Sequence, residues 1–162
     1  MSFSGKYTND ILFIFLKANA VYLGNSSLSL DAKGRMMIPS KHRDALQKEC
    51  EGQLYLTRSP AGCLLLLPLP VWEQMAREII TWGEELDIYR EIYFSSAEPV
   101  TWDSTGRILI PPSLRAKAKL EKDIEFFGNG THFRIWNAQV YEMREQNGLA
   151  QEKPAAIKNF RF

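Results

Sequence analysis

The sequence predicts an α+β fold, mainly β, built from two copies of one small supersecondary unit. Three observations predict it. First, Asp31-Ala32-Lys33-Gly34-Arg35-Met36-Met37-Ile38-Pro39 returns as Asp103-Ser104-Thr105-Gly106-Arg107-Ile108-Leu109-Ile110-Pro111, and Arg43 falls on Arg115 at the same offset of 72 residues. Six identities without a gap mark a duplication, and self-similarity at a fixed period sets the architecture before any residue is given a role. Second, the apolar residues come in short runs bounded by Gly, Pro and Asp, the punctuation of strands. Third, each motif ends in a proline that suits the first turn of a helix.

The elements follow in order. Ser27-Leu28-Ser29-Leu30 alternates polar and apolar, as a strand with one buried face should. Asp31 accepts hydrogen bonds from amides just ahead of it and Gly34 supplies positive φ, so the Asp-x-x-Gly stretch is a tight connection. Met36-Met37-Ile38 is the return strand, Pro39 ends it, and residues 40–48 form a helix closed near Gly52. Residues 53–58 and 63–67 are strands around the turn Ser59-Pro60-Ala61-Gly62. A helix over residues 71–81 carries Trp72, Met75, Ile79 and Ile80 at helical spacing. The second copy repeats this order: strands at 98–102 and 108–110, a helix at 112–118, strands at 124–127 and 133–136 around Gly128-Asn129-Gly130, and a helix at 138–146. Each unit alone is too short to bury enough surface, so the two should pack together. Residues 1–20 are an N-terminal extension, 25–72 the first repeat, 73–96 a helical linker, 97–141 the second repeat and 148–162 a loosely ordered, weakly basic tail.

Composition narrows the function classes. At 162 residues and 45% hydrophobic content the chain can form a real core. Twenty Lys plus Arg against nineteen Asp plus Glu exclude a global basic field but not a local patch. Residues 31–43 hold Lys33, Arg35, Lys41 and Arg43 against Asp31 and no other acid, with His42 as a possible extra charge, whereas residues 84–91 are acid-rich. Cys50 and Cys63, with His42 and His132, lack the spacing of a disulfide framework or a zinc site. The apolar run at residues 11–16, followed by Ala18-Asn19-Ala20, imitates a secretory signal. It falls short of the roughly seven to fifteen residues of a signal core and the about twenty of a membrane span.

Tyr22-Leu23-Gly24, Leu30-Asp31-Ala32-Lys33-Gly34-Arg35, Ile38-Pro39, His42-Arg43, residues 64–72 with Pro68-Leu69-Pro70, and the second motif over residues 103–115 together carry a resemblance. From about residue 22 to residue 141 the chain resembles the MraZ family, bacterial regulators encoded at the head of the division and cell wall gene cluster. The half-motif is similar to that of the wider AbrB-like swapped-hairpin group. The resemblance implies two tandem AbrB-like units packed as a small pseudo-symmetric β-barrel core with peripheral helices. It also implies a cytoplasmic, nucleoid-associated repressor of its own operon, binding direct repeats of double-stranded DNA as a ring-shaped homo-oligomer. No cofactor, metal, membrane or catalytic activity is expected. Family members begin at the residue matching Val21 or Tyr22, so translation is expected to start at Val21; dropping Lys6, Lys17 and Asp10 leaves eighteen basic and eighteen acidic residues.

The candidate DNA-binding residues are Lys33, Arg35, Lys41 and Arg43 in the first copy and Arg107 and Arg115 in the second. Lys33 and Arg35 flank a glycine where backbone can approach a phosphate, and an arginine can grip phosphate or a guanine edge with two parallel hydrogen bonds. The second copy has Thr105, Ser113 and Leu114 where the first has Lys33, Lys41 and His42, so it is the weaker surface. Asp31, Gly34, Pro39, Asp103, Gly106 and Pro111 form the structural frame. For Arg35 and Arg107, pairing with those aspartates is the competing reading, and for Arg43 and Arg115 a structural role early in a helix. Two functional rivals stand beside the regulator. One is a ring-forming interaction protein. The other is an aspartic hydrolase, which would need Gly two residues after Asp rather than three, and no adjacent Arg to depress the carboxylate.

Overall fold

The computed structural model describes residues 20–161. In chain order the elements are β1 (Asn25–Ser29), β2 (Arg35–Met37), α1 (Ser40–Cys50), β3 (Leu54–Arg58), β4 (Leu64–Pro68), α2 (Leu69–Ile80), a 3-10 turn (Glu84–Leu86) and α3 (Asp87–Ser95). Then come β5 (Glu98–Val100), β6 (Arg107–Leu109), α4 (Pro112–Lys117), β7 (Asp123–Gly128), β8 (Phe133–Asn137), α5 (Ala138–Ala150) and α6 (Ala155–Lys158). The class is mixed α+β with two sheets and peripheral helices.

Six strands pair in the order β1-β7-β8-β4-β3-β5, and β2 pairs with β6 as a separate two-stranded ribbon. Exchanging the first four strands for the last four reverses the six-stranded order and leaves the ribbon unchanged. The first strand of each copy therefore pairs with the third strand of the other: β1 with β7, where Ser27 faces Glu125, and β5 with β3, where Pro99 faces Tyr55. β1 and β5 are the two edges, and among the described residues no ladder joins them into a closed barrel.

β4 explains why Leu64-Leu65-Leu66-Leu67 is apolar without alternation. It lies inside the sheet with both faces covered, so every residue must be apolar. Leu64 and Leu66 join one core with Met36, Ile38, Leu46, Ile108, Ile110, Leu114, Phe126 and Phe133, beneath the ribbon, α1 and α4. Leu65 and Leu67 face the other way, with Cys63, Trp72 and Trp136, against Val71, Met75, Phe94 and Tyr141 of α2, α3 and α5. Thr57, wholly buried, satisfies its hydroxyl by donating to the Tyr93 carbonyl at 2.5 Å, which ties α3 to the sheet.

Several boundaries differ from expectation. α1 runs to Cys50 and closes where Glu51 and Gly52 take φ of 54° and 74°. α2 starts at Leu69, because Pro70 sits in its first turn, where a missing N–H costs nothing. β5 stops at Val100, the last residue opposite β3, and Trp102 turns away to cover Gly52. The segment after Gly148, expected to be loosely ordered, contains the end of α5 and the short α6, with every side chain from Glu142 to Arg161 exposed. The N-terminal extension, apart from Ala20, lies outside the described residues.

Candidate nucleic-acid interface

The two motif turns are built alike, from local bonds. Asp31 Oδ1 accepts the amides of Lys33 and Arg35, both at 2.9 Å, and Oδ2 accepts Arg35 Nε at 2.7 Å. Asp103 Oδ1 accepts the amides of Thr105 at 2.9 Å and Arg107 at 3.0 Å, and Oδ2 accepts Arg107 Nε at 2.9 Å. The Arg35 amide foremost, then the Arg35 side chain and the Lys33 amide, hold the Asp31 carboxyl below its ordinary range. For Asp103 the Arg107 amide and the Thr105 hydroxyl do the same, more strongly. Two carboxylates each engaged by its own arginine do not make a proton-sharing dyad.

The turns are locked to each other. Ile38 donates to the Gly106 carbonyl at 2.9 Å, and Ile110 donates to the Gly34 carbonyl at 3.0 Å, extending the β2–β6 ladder into both turns. The glycines serve two ends. Gly34 and Gly106 have φ of 80° and 86°, and a Cβ on either would stand 2.4 Å from an arginine of the opposite copy: Arg115 Cζ at Gly34, Arg43 Nη1 at Gly106. Arg115 Nε also donates to the Ile110 carbonyl at 3.1 Å, whereas the buried Arg43 Nε has no hydrogen-bond partner. Arg43 and Arg115 thus brace the neighbouring turn.

Cross-strand register decides what faces outward. Arg35 lies opposite Leu109 and Met37 opposite Arg107, while Met36 and Ile108 face each other between them. Met36 and Ile108 are fully buried and Met37 and Leu109 are exposed, so the ribbon presents Arg35, Met37, Arg107 and Leu109 on one outer face. Lys33 and Thr105 are exposed in the adjoining turns, and Lys41 is exposed at the start of α1, its Nζ near Gly24. Pro39 and Pro111 sit immediately before α1 and α4.

Residues 21–85 and 93–159 match the family described as "MraZ protein, putative antitoxin-like". The chain belongs to the MraZ family. It is 46% identical over 142 residues to proteins named "Transcriptional regulator MraZ" from Ralstonia pickettii (strain 12J), Cupriavidus pinatubonensis (strain JMP 134 / LMG 1197) and Burkholderia mallei (strain SAVP1). Each alignment covers 88% of this chain and the whole of the relative. The MraZ match includes both turns and both ribbon strands.

His42 does not add to the basic surface. It is buried against Tyr22, Phe126 and Phe133, its Nε2 has no hydrogen-bond partner, and burial followed by the charge of Lys41 pushes its pKa down. Met37 and Leu109 are not among the sequence-predicted site residues, although a strict period of two along each apolar triplet turns the middle residue to the face opposite its neighbours. Both cysteines are free and buried, and among the described residues no group of three or more His, Cys, Asp or Glu is placed to hold a metal ion. No described helix is long and apolar enough to cross a membrane.

Proposed function

We propose that this MraZ family member is a transcriptional regulator that binds double-stranded DNA through the outer face of the β2–β6 ribbon. The observation that carries the reading is that face: two arginines on a diagonal, one from each copy, with two exposed aliphatic side chains on the other diagonal. A two-stranded antiparallel ribbon fits the major groove of B-DNA, about 12 Å wide, where arginine pairs with guanine and apolar groups meet the thymine methyl. Lys33 and Lys41 add phosphate contacts at the margin. In this reading the second copy is an equal partner at the base-reading face, and the surplus lysines of the first copy set orientation. Arg43 and Arg115 serve the surface by holding its turns.

The relatives' name supports regulation, and a near-neutral chain supports multivalency. A ring of subunits engaging direct repeats in the chain's own promoter raises avidity without a strong field on any one subunit. Exposed Ile80, Ile88, Tyr89, Met143, Leu149 and Ile157 on the outer helices support self-association, as they do the rival reading of a ring-forming interaction protein. The two units act as AbrB-like swapped hairpins in a barrel-like core, repressing their own division and cell wall operon at the nucleoid. Titrating the protein against its promoter fragment tests this: Arg35→Ala is expected to weaken binding at least tenfold with the oligomer mass unchanged, and parental binding to fall steeply with salt. Intact oligomers that give no sequence-dependent shift would favour the interaction protein instead.

A further inference from the structure

A carboxylate on a DNA-reading surface is an electrostatic cost, since it repels the phosphate backbone. This surface carries one in each turn, beside each arginine it would use. Turn formation alone accounts for half of each group: Oδ1 receives the backbone amides, which is all an Asx turn requires. Oδ2 does something else in both copies. It takes the Nε–H of the arginine four residues on, at 2.7 Å from Arg35 and 2.9 Å from Arg107.

We propose that Asp31 and Asp103 are positioning residues of the DNA-reading face, each clamping its arginine at Nε so that the Nη1 and Nη2 edge of the guanidinium is presented. The proposal rests on the DNA-binding reading above. Among the described residues neither Nη atom of Arg35 or Arg107 donates a hydrogen bond, so both forks are free to meet a bidentate acceptor. A guanine edge, with O6 and N7 side by side, is such an acceptor. Unrestrained, an arginine would lose its rotamer freedom on binding; held by Oδ2, it loses most of it when the protein folds. The same clamp at the two ends of one diagonal of the ribbon gives both copies the same fixed reach. Asp31 and Asp103 thereby act on specificity, although neither need touch DNA.

Asparagine separates the two duties. Asp31→Asn keeps Oδ1 for the Lys33 and Arg35 amides, so the turn survives, but it offers an NH2 group where Arg35 Nε needs an acceptor. It also removes a negative charge, which by electrostatics alone would tighten binding to any DNA. Affinities of the full chain, D31N, D103N and the double variant would be measured for the chain's promoter fragment and for a scrambled duplex of equal length and composition. Positioning predicts at least a tenfold drop in the promoter-to-scrambled ratio for each single variant, with scrambled affinity equal or higher and the variant still folded at the assay temperature, its melting point lowered only by the loss of the charge. In an Arg35→Ala background D31N should leave the ratio unaltered. A parent that discriminates, with a D31N ratio equal to the parent's, overturns the clamp and leaves the DNA reading standing; so does a D31N effect that persists without Arg35. A parent that fails to discriminate overturns both.

Discussion

Gly34→Ala tests the packing of each turn against the opposite copy. Two costs are separable in the structure. The first is backbone: φ of 80° is left-handed, and a side chain there costs about 1–2 kcal/mol. The second is steric, since the new Cβ would stand 2.4 Å from Arg115 Cζ and 2.6 Å from its Nε. The guanidinium must leave, and with it the bond from Nε to the Ile110 carbonyl, a charge-assisted contact in a half-buried setting contributing about 1–2 kcal/mol. Alanine also restricts the unfolded chain, offsetting roughly 0.4–1 kcal/mol. The net loss is about 2–3 kcal/mol, or roughly 5–10 °C in melting temperature for a chain of this size.

A double-mutant cycle isolates the steric part. In an Arg115→Ala background the obstacle is gone, and Gly34→Ala should cost only the backbone term, giving a coupling of about 1–2 kcal/mol. Gly24 is the control: its φ is 86°, but a Cβ there meets only the flexible end of Lys41, Nζ at 3.2 Å. Gly24→Ala should therefore destabilise less than Gly34→Ala in urea titrations. Equal losses at the two glycines, together with a coupling energy of zero, would refute the reasoning.

Two further outcomes follow from buried polar groups. The Tyr22 hydroxyl donates to Glu49 while its ring packs on Phe133 at 4.6 Å, so Tyr22→Phe should keep the packing and cost about 1–2 kcal/mol in chemical denaturation. An unchanged midpoint would show that the hydroxyl bond contributes nothing. Burial, then the charge of Arg134, pushes the pKa of His132 down to about 4, below an unfolded value near 6.5. The folded state therefore binds fewer protons: its stability is intact above about pH 6.5 and falls by about 2–3 kcal/mol as the pH drops towards 4. His132→Asn should flatten the denaturation midpoint over that window, and the parental slope persisting in the variant would assign it elsewhere, His42 being the next candidate since its pKa is also lowered.

What could be read from sequence was what the chain settles within a few residues. The Asp-x-x-Gly turns, the helices that follow Pro39 and Pro111, and the hairpin around Ser59-Pro60-Ala61-Gly62 rest on local hydrogen bonds and local dihedrals, and they stand where expected. The strand partners were not legible. Nothing within β1 says that Leu28 will face Ile124 rather than a neighbour in its own copy, because that choice depends on which apolar faces remain uncovered after both copies collapse. The second duty of the glycines was hidden for the same reason. Gly34 looked sufficient as a turn residue, and the guanidinium that fills the space beside it comes from α4 in the other half of the chain. An arginine early in a helix likewise gives no sign whether its target is an acid nearby, a phosphate, or a distant turn. The duplicated motif was legible as two similar frames; the exchange of strands and arginines joins those frames into one surface. β2 and β6 can present Arg35 and Arg107 together because each strand is laddered to the other copy, and each turn is packed by the other copy's helix. A change confined to α4 should therefore be felt at Arg35, and one confined to α1 at Arg107.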